Sequence, residues 1–64
     1  MADKIWFIKR GNKPVAAFSS KREAIEEYEE IADDEDLYKL YRIFIDDIED
    51  YQAEMDLAQE EGLI

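Results

Sequence analysis

The chain of 64 residues has no cysteine, no histidine, two glycines and one proline. Without cysteine, no disulfide or thiolate metal site can reinforce the fold. Without histidine as well, the ordinary nucleophile–base pairs and most transition-metal ligand sets have no members. Ser19 and Ser20 therefore have nothing to activate them, and no catalytic residue is expected. Gly11 and Gly62 are the only glycines, which excludes a glycine-rich phosphate loop. No apolar run approaches the roughly 18–20 residues of a membrane span. The apolar stretch in MADKIWFIKRGN is too short and too soon interrupted for a signal peptide, so a cytoplasmic protein is expected.

Cations are missing from the last third of the chain, where no Lys or Arg follows Arg42. The formal charge is −10, unevenly placed. Residues 1–22 carry Lys4, Lys9, Arg10, Lys13, Lys21 and Arg22 against Asp3 alone. Residues 23–64 carry seventeen acids against Lys39 and Arg42. Self-repulsion of this size opposes compactness and favours solubility. It argues against nucleic acid or an anionic membrane as a direct ligand, since both need cationic surface.

What is present suffices for one small domain over residues 1–64. Apolar residues make up 47% of the chain, a globular proportion that argues against disorder. A chain this short buries only roughly 60% of the surface its unfolded form exposes, so its core works with a thin margin.

KIWFIKR alternates Ile5 and Phe7 with Trp6 and Ile8, apolar on both faces, as in a strand covered on both sides. GNK supplies turn chemistry, and VAAF after Pro14 is a second strand at an edge. Ser20 and Glu23 stand at capping-box spacing before a helix whose stripe is Ala24, Ile25, Tyr28, Ile31 and Ala32. That helix ends in DDED, where acids oppose the negative end of its dipole. LYKLYRIFI is a third strand, β-branched and aromatic. Asp46 or Asp47 can cap a second helix with the stripe Ile48, Tyr51, Met55 and Ala58, stopped at Gly62.

The order is β-β-α-β-α, a single α+β domain. The crossover from the second strand to the third places the three-stranded antiparallel sheet in the order 2-1-3, packed with two helices. Whether both helices share one face is open from sequence. If they do, Trp6 and Ile8 form an exposed apolar patch, which would mark an interface.

DDED and DDIED are dense in carboxylates, yet residues 33–44 lack the glycine and final glutamate of a calcium-binding EF-hand loop. No metal site and no cofactor are expected. Glu26 and Glu30 stand one turn apart on the first helix, as do Glu23 and Glu27, and such like-charge pairs cost a few tenths of a kcal/mol each. Glu49, Asp50, Glu54, Asp56, Glu60 and Glu61 repeat the pattern in the second without one lysine among them.

Three explanations compete: a solvated face, a proteome-wide acidic bias, and rows of carboxylates substituting for a phosphate backbone. The cationic first third weakens the second. The third is preferred, because an acidic row would be steered to a basic nucleic-acid-binding groove.

In its small size, acidity, lack of His and Cys, and tight α/β build, the whole chain resembles the anti-CRISPR proteins of phages and mobile elements. That resemblance implies inhibition by occluding the DNA-binding surface of a CRISPR effector subunit, in the cytoplasm of the host cell. Those proteins share no general motif, so no residue role is carried over. Separately, PVAAFSSKREAIEEY is similar to a hairpin-to-helix segment of small phage and bacterial proteins, which implies no function. The expected role is thus a non-enzymatic, DNA-mimic-like inhibitor, monomeric rather than homodimeric, binding a basic nucleic-acid-binding protein. The expected contact residues are Glu26, Glu30, Asp33, Asp34, Asp36, Asp46, Asp47, Glu49, Asp50 and Glu54, with Tyr38 or Tyr41 as aromatic anchors if exposed. The alternative is a structural or regulatory module that self-associates through an open sheet face around Trp6 and Ile8, its acidity serving only solubility.

Overall fold

In the computed structural model, which describes residues 3–32 and 37–64, KIWFIKR forms the central strand β1 (Lys4–Arg10). A turn at Gly11 and Asn12 leads into β2 (Lys13–Phe18). Gly11 takes φ +61°, a conformation that costs a residue without a Cβ little. Its N–H donates to the Leu37 carbonyl at 3.0 Å, tying the hairpin turn to the approach of the next strand. The helix α1 (Lys21–Ile31) follows, then β3 (Tyr38–Phe44), a six-residue 3₁₀ helix (Ile45–Asp50) and α2 (Gln52–Glu60). The sheet is antiparallel with β1 between β2 and β3. This is the small α+β domain with strand order 2-1-3 that the sequence predicts.

Register sorts the side chains into two faces. Ile5 lies opposite Ile43 and Phe7 opposite Tyr41 and Ala17. Trp6 lies opposite Arg42 and Phe18, and Ile8 opposite Leu40 and Ala16. The pairing of β2 shifts by one residue between Ile8 and Lys9, leaving Val15 as the extra residue of a bulge, 44% exposed. Bulge and Pro14 together blunt this sheet edge against pairing with another chain.

The two helices cover opposite faces. Ile48, Ala58, Met55 and Leu57 join Ile5, Phe7, Ala17 and Ile43 in the main core. On the other side Ala24 of α1 is fully buried, and the Tyr28 hydroxyl donates to the Tyr38 carbonyl at 3.2 Å. Trp6 is consequently only 9% exposed and Ile8 is fully buried. The open face on which self-association was predicated is closed by α1, because β1 is apolar on both sides and each side needs a cover. Phe7, Ile5 and Ile8 are the largest fully buried side chains. Burial of such a side chain contributes about 1.5–3 kcal/mol.

Several local expectations change. Ser20 occupies the N-cap position of α1, but its side chain makes no capping hydrogen bond. The helix ends at Ile31, with the Ala32 N–H donating to the Tyr28 carbonyl at 2.8 Å, and DDED lies outside the described residues. The third strand is shorter at both ends than LYKLYRIFI, since Leu37 precedes it and Ile45 begins the 3₁₀ helix. The second helix is broken. Its first part winds as 3₁₀, and Tyr51, at φ −125° and ψ 79°, separates it from α2. Neither Asp46 nor Asp47 caps α2; both lie in the first turn of the 3₁₀ helix. The three-residue spacing of Ile45 and Ile48, both packed in the core, matches the period at which 3₁₀ side chains eclipse.

Gly62 ends α2 as expected. It takes φ +75°. The Leu63 N–H reaches the Ala58 carbonyl at 2.9 Å and the Gly62 N–H the Gln59 carbonyl at 3.1 Å, the paired bonds of a Schellman motif. Leu63 completes it by packing on the core.

Candidate functional site

The densest display of described acids is the 3₁₀ helix. Asp46, Asp47, Glu49 and Asp50 are all exposed, while Ile48 between them is only 4% exposed and fastens the segment to the core. The Ile45 N–H donates to the Asp3 carbonyl at 2.9 Å and the Tyr51 N–H to the Ile48 carbonyl at 2.9 Å, fixing both ends. Four carboxylates are thereby carried on a short, anchored turn whose backbone has little freedom left to lose on binding.

The other predicted contact residues do not join them. Glu26 and Glu30 are exposed on α1, which covers the sheet face opposite α2. Among the described residues, the predicted contact acids therefore do not make one continuous face; Glu26 and Glu30 lie on the opposite side of the sheet from the 3₁₀ helix. Glu54 is half-buried and turned toward Tyr41. Burial of the Tyr41 phenol, the charge of Glu54 and a hydrogen bond to its carboxylate together push the phenol pKa up. Glu54 is thus engaged with Tyr41 inside the fold and is less exposed than the acids of the 3₁₀ helix. Asp33, Asp34 and Asp36 lie outside the described residues.

Neither tyrosine offered as an anchor is free. Tyr41 stacks on Phe7 with ring centroids 5.6 Å apart, and Tyr38 is half-buried beside Arg10. The exposed aromatics are instead Phe44 and Tyr51, each 45% exposed, which flank the acidic 3₁₀ helix in sequence. Sequence reasoning placed Tyr51 in a helical stripe. The break at Tyr51 removes it from that stripe, and nothing in the residue pattern signals the break.

The placement of the cations bears on why most of the described acids stay unpaired. Among the described residues the one ion pair is Arg22 with Glu26, at 3.4 Å, its side chains 88% and 65% exposed. Exposed pairs of this kind contribute at most a few tenths of a kcal/mol. The remaining cations lie mostly over aromatic rings of the sheet. Lys9 sits 5.4 Å from the Tyr41 centroid and Arg10 6.0 Å from that of Tyr38. Lys4, Lys21 and Arg42 all lie over Trp6, and Arg42 lies also over Phe44.

Away from these clusters, an open groove of about 740 Å³ runs between the start of β2 and α2, lined by Lys13, Pro14, Ala53, Asp56, Leu57, Gln59 and Glu60. It contains none of the predicted contact residues. Among the described residues, no three carboxylates converge to hold a metal ion, and no helix is long and apolar enough to cross a membrane. Compared with protein-family models, curated proteins and solved structures, the chain matches none.

Proposed function

We propose that the chain is a non-enzymatic interaction protein that occludes a basic nucleic-acid-binding surface, acting as a monomer and without a cofactor. The observation that supports this reading is the anchored 3₁₀ helix with Asp46, Asp47, Glu49 and Asp50 exposed and no cation paired to them among the described residues. A nucleic-acid groove is lined with Lys and Arg that ordinarily meet phosphates. Carboxylates accept the same charge-assisted hydrogen bonds, and the −10 net charge steers the encounter. Tyr51, exposed at the end of the turn, supplies the kind of aromatic contact that dominates interface energies. Glu26 and Glu30, on the other side of the sheet, belong to the long-range field more than to the contact. The resemblance in size and charge to anti-CRISPR proteins makes a CRISPR effector subunit the specific partner class proposed.

The test is a pull-down from host lysate at low salt, eluted in salt steps, comparing the native chain with Asp46→Lys/Asp47→Lys. The expected result is one dominant nucleic-acid-binding protein, retained beyond about 0.3 M salt, displaced by DNA and lost in the variant. A spread of basic proteins, all released by about 0.15 M where surface charges are already screened, would overturn the reading.

A further inference from the structure

Three cations converge on one indole. Lys4 of β1, Lys21 at the start of α1 and Arg42 of β3 place their charged groups 5.9, 5.6 and 5.9 Å from the Trp6 ring centroid. They come from three different elements, and register brings them together: Arg42 is the cross-strand partner of Trp6, and Lys4 lies two residues before it on the same face. Among the described residues none of the three forms an ion pair. This is unusual economy in a chain whose acids outnumber its bases 18 to 8. Asp3, Glu23, Asp46 and Asp47 are close in sequence, yet none closes onto the cluster within ion-pair distance. The indole faces attract the cations, but they do not neutralise them.

We propose that Lys4, Lys21 and Arg42 form a binding site for the phosphates of a small phosphorylated ligand. Three cations, each within 6 Å of one indole ring, suit a compact polyanion whose several charges can meet more than one of them. Arg42 contributes a planar fork that matches phosphate oxygens, and the two lysines contribute point charges. Phe44 lies 5.5 Å from the Arg42 guanidinium and is 45% exposed. It provides a flat apolar surface beside the phosphate position, of the size a nucleobase stacks on. The ligand class is therefore polyphosphate, with a nucleotide as the member that also uses Phe44. Bulk repulsion from the acidic half is screened beyond about 8 Å at physiological salt, so the local field decides binding. The site uses different residues from the acidic turn and stands or falls separately from the proposed occlusion.

Trp6 is the only tryptophan, so its emission reports on this cluster alone. The full chain is titrated with sodium pyrophosphate and with ATP at constant ionic strength, without divalent metal. Saturable changes in Trp6 emission are expected, absent with sodium chloride. Arg42→Gln should weaken binding about tenfold, the loss of one charge-assisted contact, while Lys13→Gln, in the groove beside α2, should leave it unchanged. Asp46→Asn/Asp47→Asn should tighten it, the opposite of the effect of altering these acids on partner occlusion. Tighter binding of ATP than pyrophosphate, lost in Phe44→Ala, would place a base on Phe44; equal affinities would assign the site to the polyphosphate alone. No saturable response of the folded native chain to either compound would overturn the proposal, as would equal losses in Arg42→Gln and Lys13→Gln.

Discussion

The phenol of Tyr41 is kept protonated by its burial, by the neighbouring charge of Glu54 and by a hydrogen bond to that carboxylate. An acid whose folded pKa is raised holds its proton in the fold at a pH where the unfolded chain has released it. Folding stability then falls as pH rises above the unfolded phenol value of about 10. Below that value both states are protonated and the effect vanishes. Urea unfolding of the native chain should therefore lose stability between pH 9 and 11 more steeply than Tyr41→Phe does, and identical slopes would refute the assignment. Core residues give a second contrast at this scale. Phe7 is fully buried, and Phe7→Ala should cost about 3–5 kcal/mol, enough to unfold most of so small a domain in a circular-dichroism denaturation series. Val15, the exposed residue of the bulge, should tolerate alanine within about 0.5 kcal/mol.

Among the elements, α2 depends most on a single backbone conformation. Gly62 takes φ +75° and a Cβ added there would meet nothing within 4 Å. The cost of Gly62→Ala is thus purely conformational, about 1–2 kcal/mol, with no steric contribution. A thermal melt showing no loss would mean that the Schellman end does not hold α2 to the core. The 3₁₀ helix differs in character. It is fastened by Ile45 and Ile48 and leaves its four acids outside, so its role is display. Ile48→Ala should release this segment and lower stability by about 2–5 kcal/mol. Asp46→Asn should change stability little, and only partner retention should register it.

For the whole molecule, charge is the dominant lever. Among the described residues one exposed ion pair opposes a net charge of −10, and most cations are committed to aromatic rings. Among the described residues, direct pairing between the two halves of the chain is therefore sparse, and repulsion among the described acids is little relieved by ion pairs. Moderate sodium chloride should raise the thermal midpoint by several degrees through screening. A midpoint that falls on adding salt would show that attraction outweighs repulsion.

Most of the architecture was legible in the residue pattern, for definite physical reasons. Alternation in KIWFIKR, turn chemistry at Gly11 and the helical stripe from Ala24 are local signals, and the crossover from β2 through α1 to β3 leaves β1 in the centre. The acidity and its uneven placement were equally open to view. The side of the sheet each helix takes was not, because apolar residues on both faces of β1 require two covers without saying which helix supplies which. That choice closed the face around Trp6 and Ile8, divided Glu26 and Glu30 from Asp46, Asp47, Glu49 and Asp50, and turned Glu54 inward to Tyr41. The break at Tyr51 also arose in the tertiary structure, where Ile45 and Ile48 had to reach the core within one turn of leaving β3. The gathering of Lys4, Lys21 and Arg42 around Trp6 is likewise a product of the tertiary structure, since these residues are distant in the chain and come near one indole only when β1, β3 and α1 assemble.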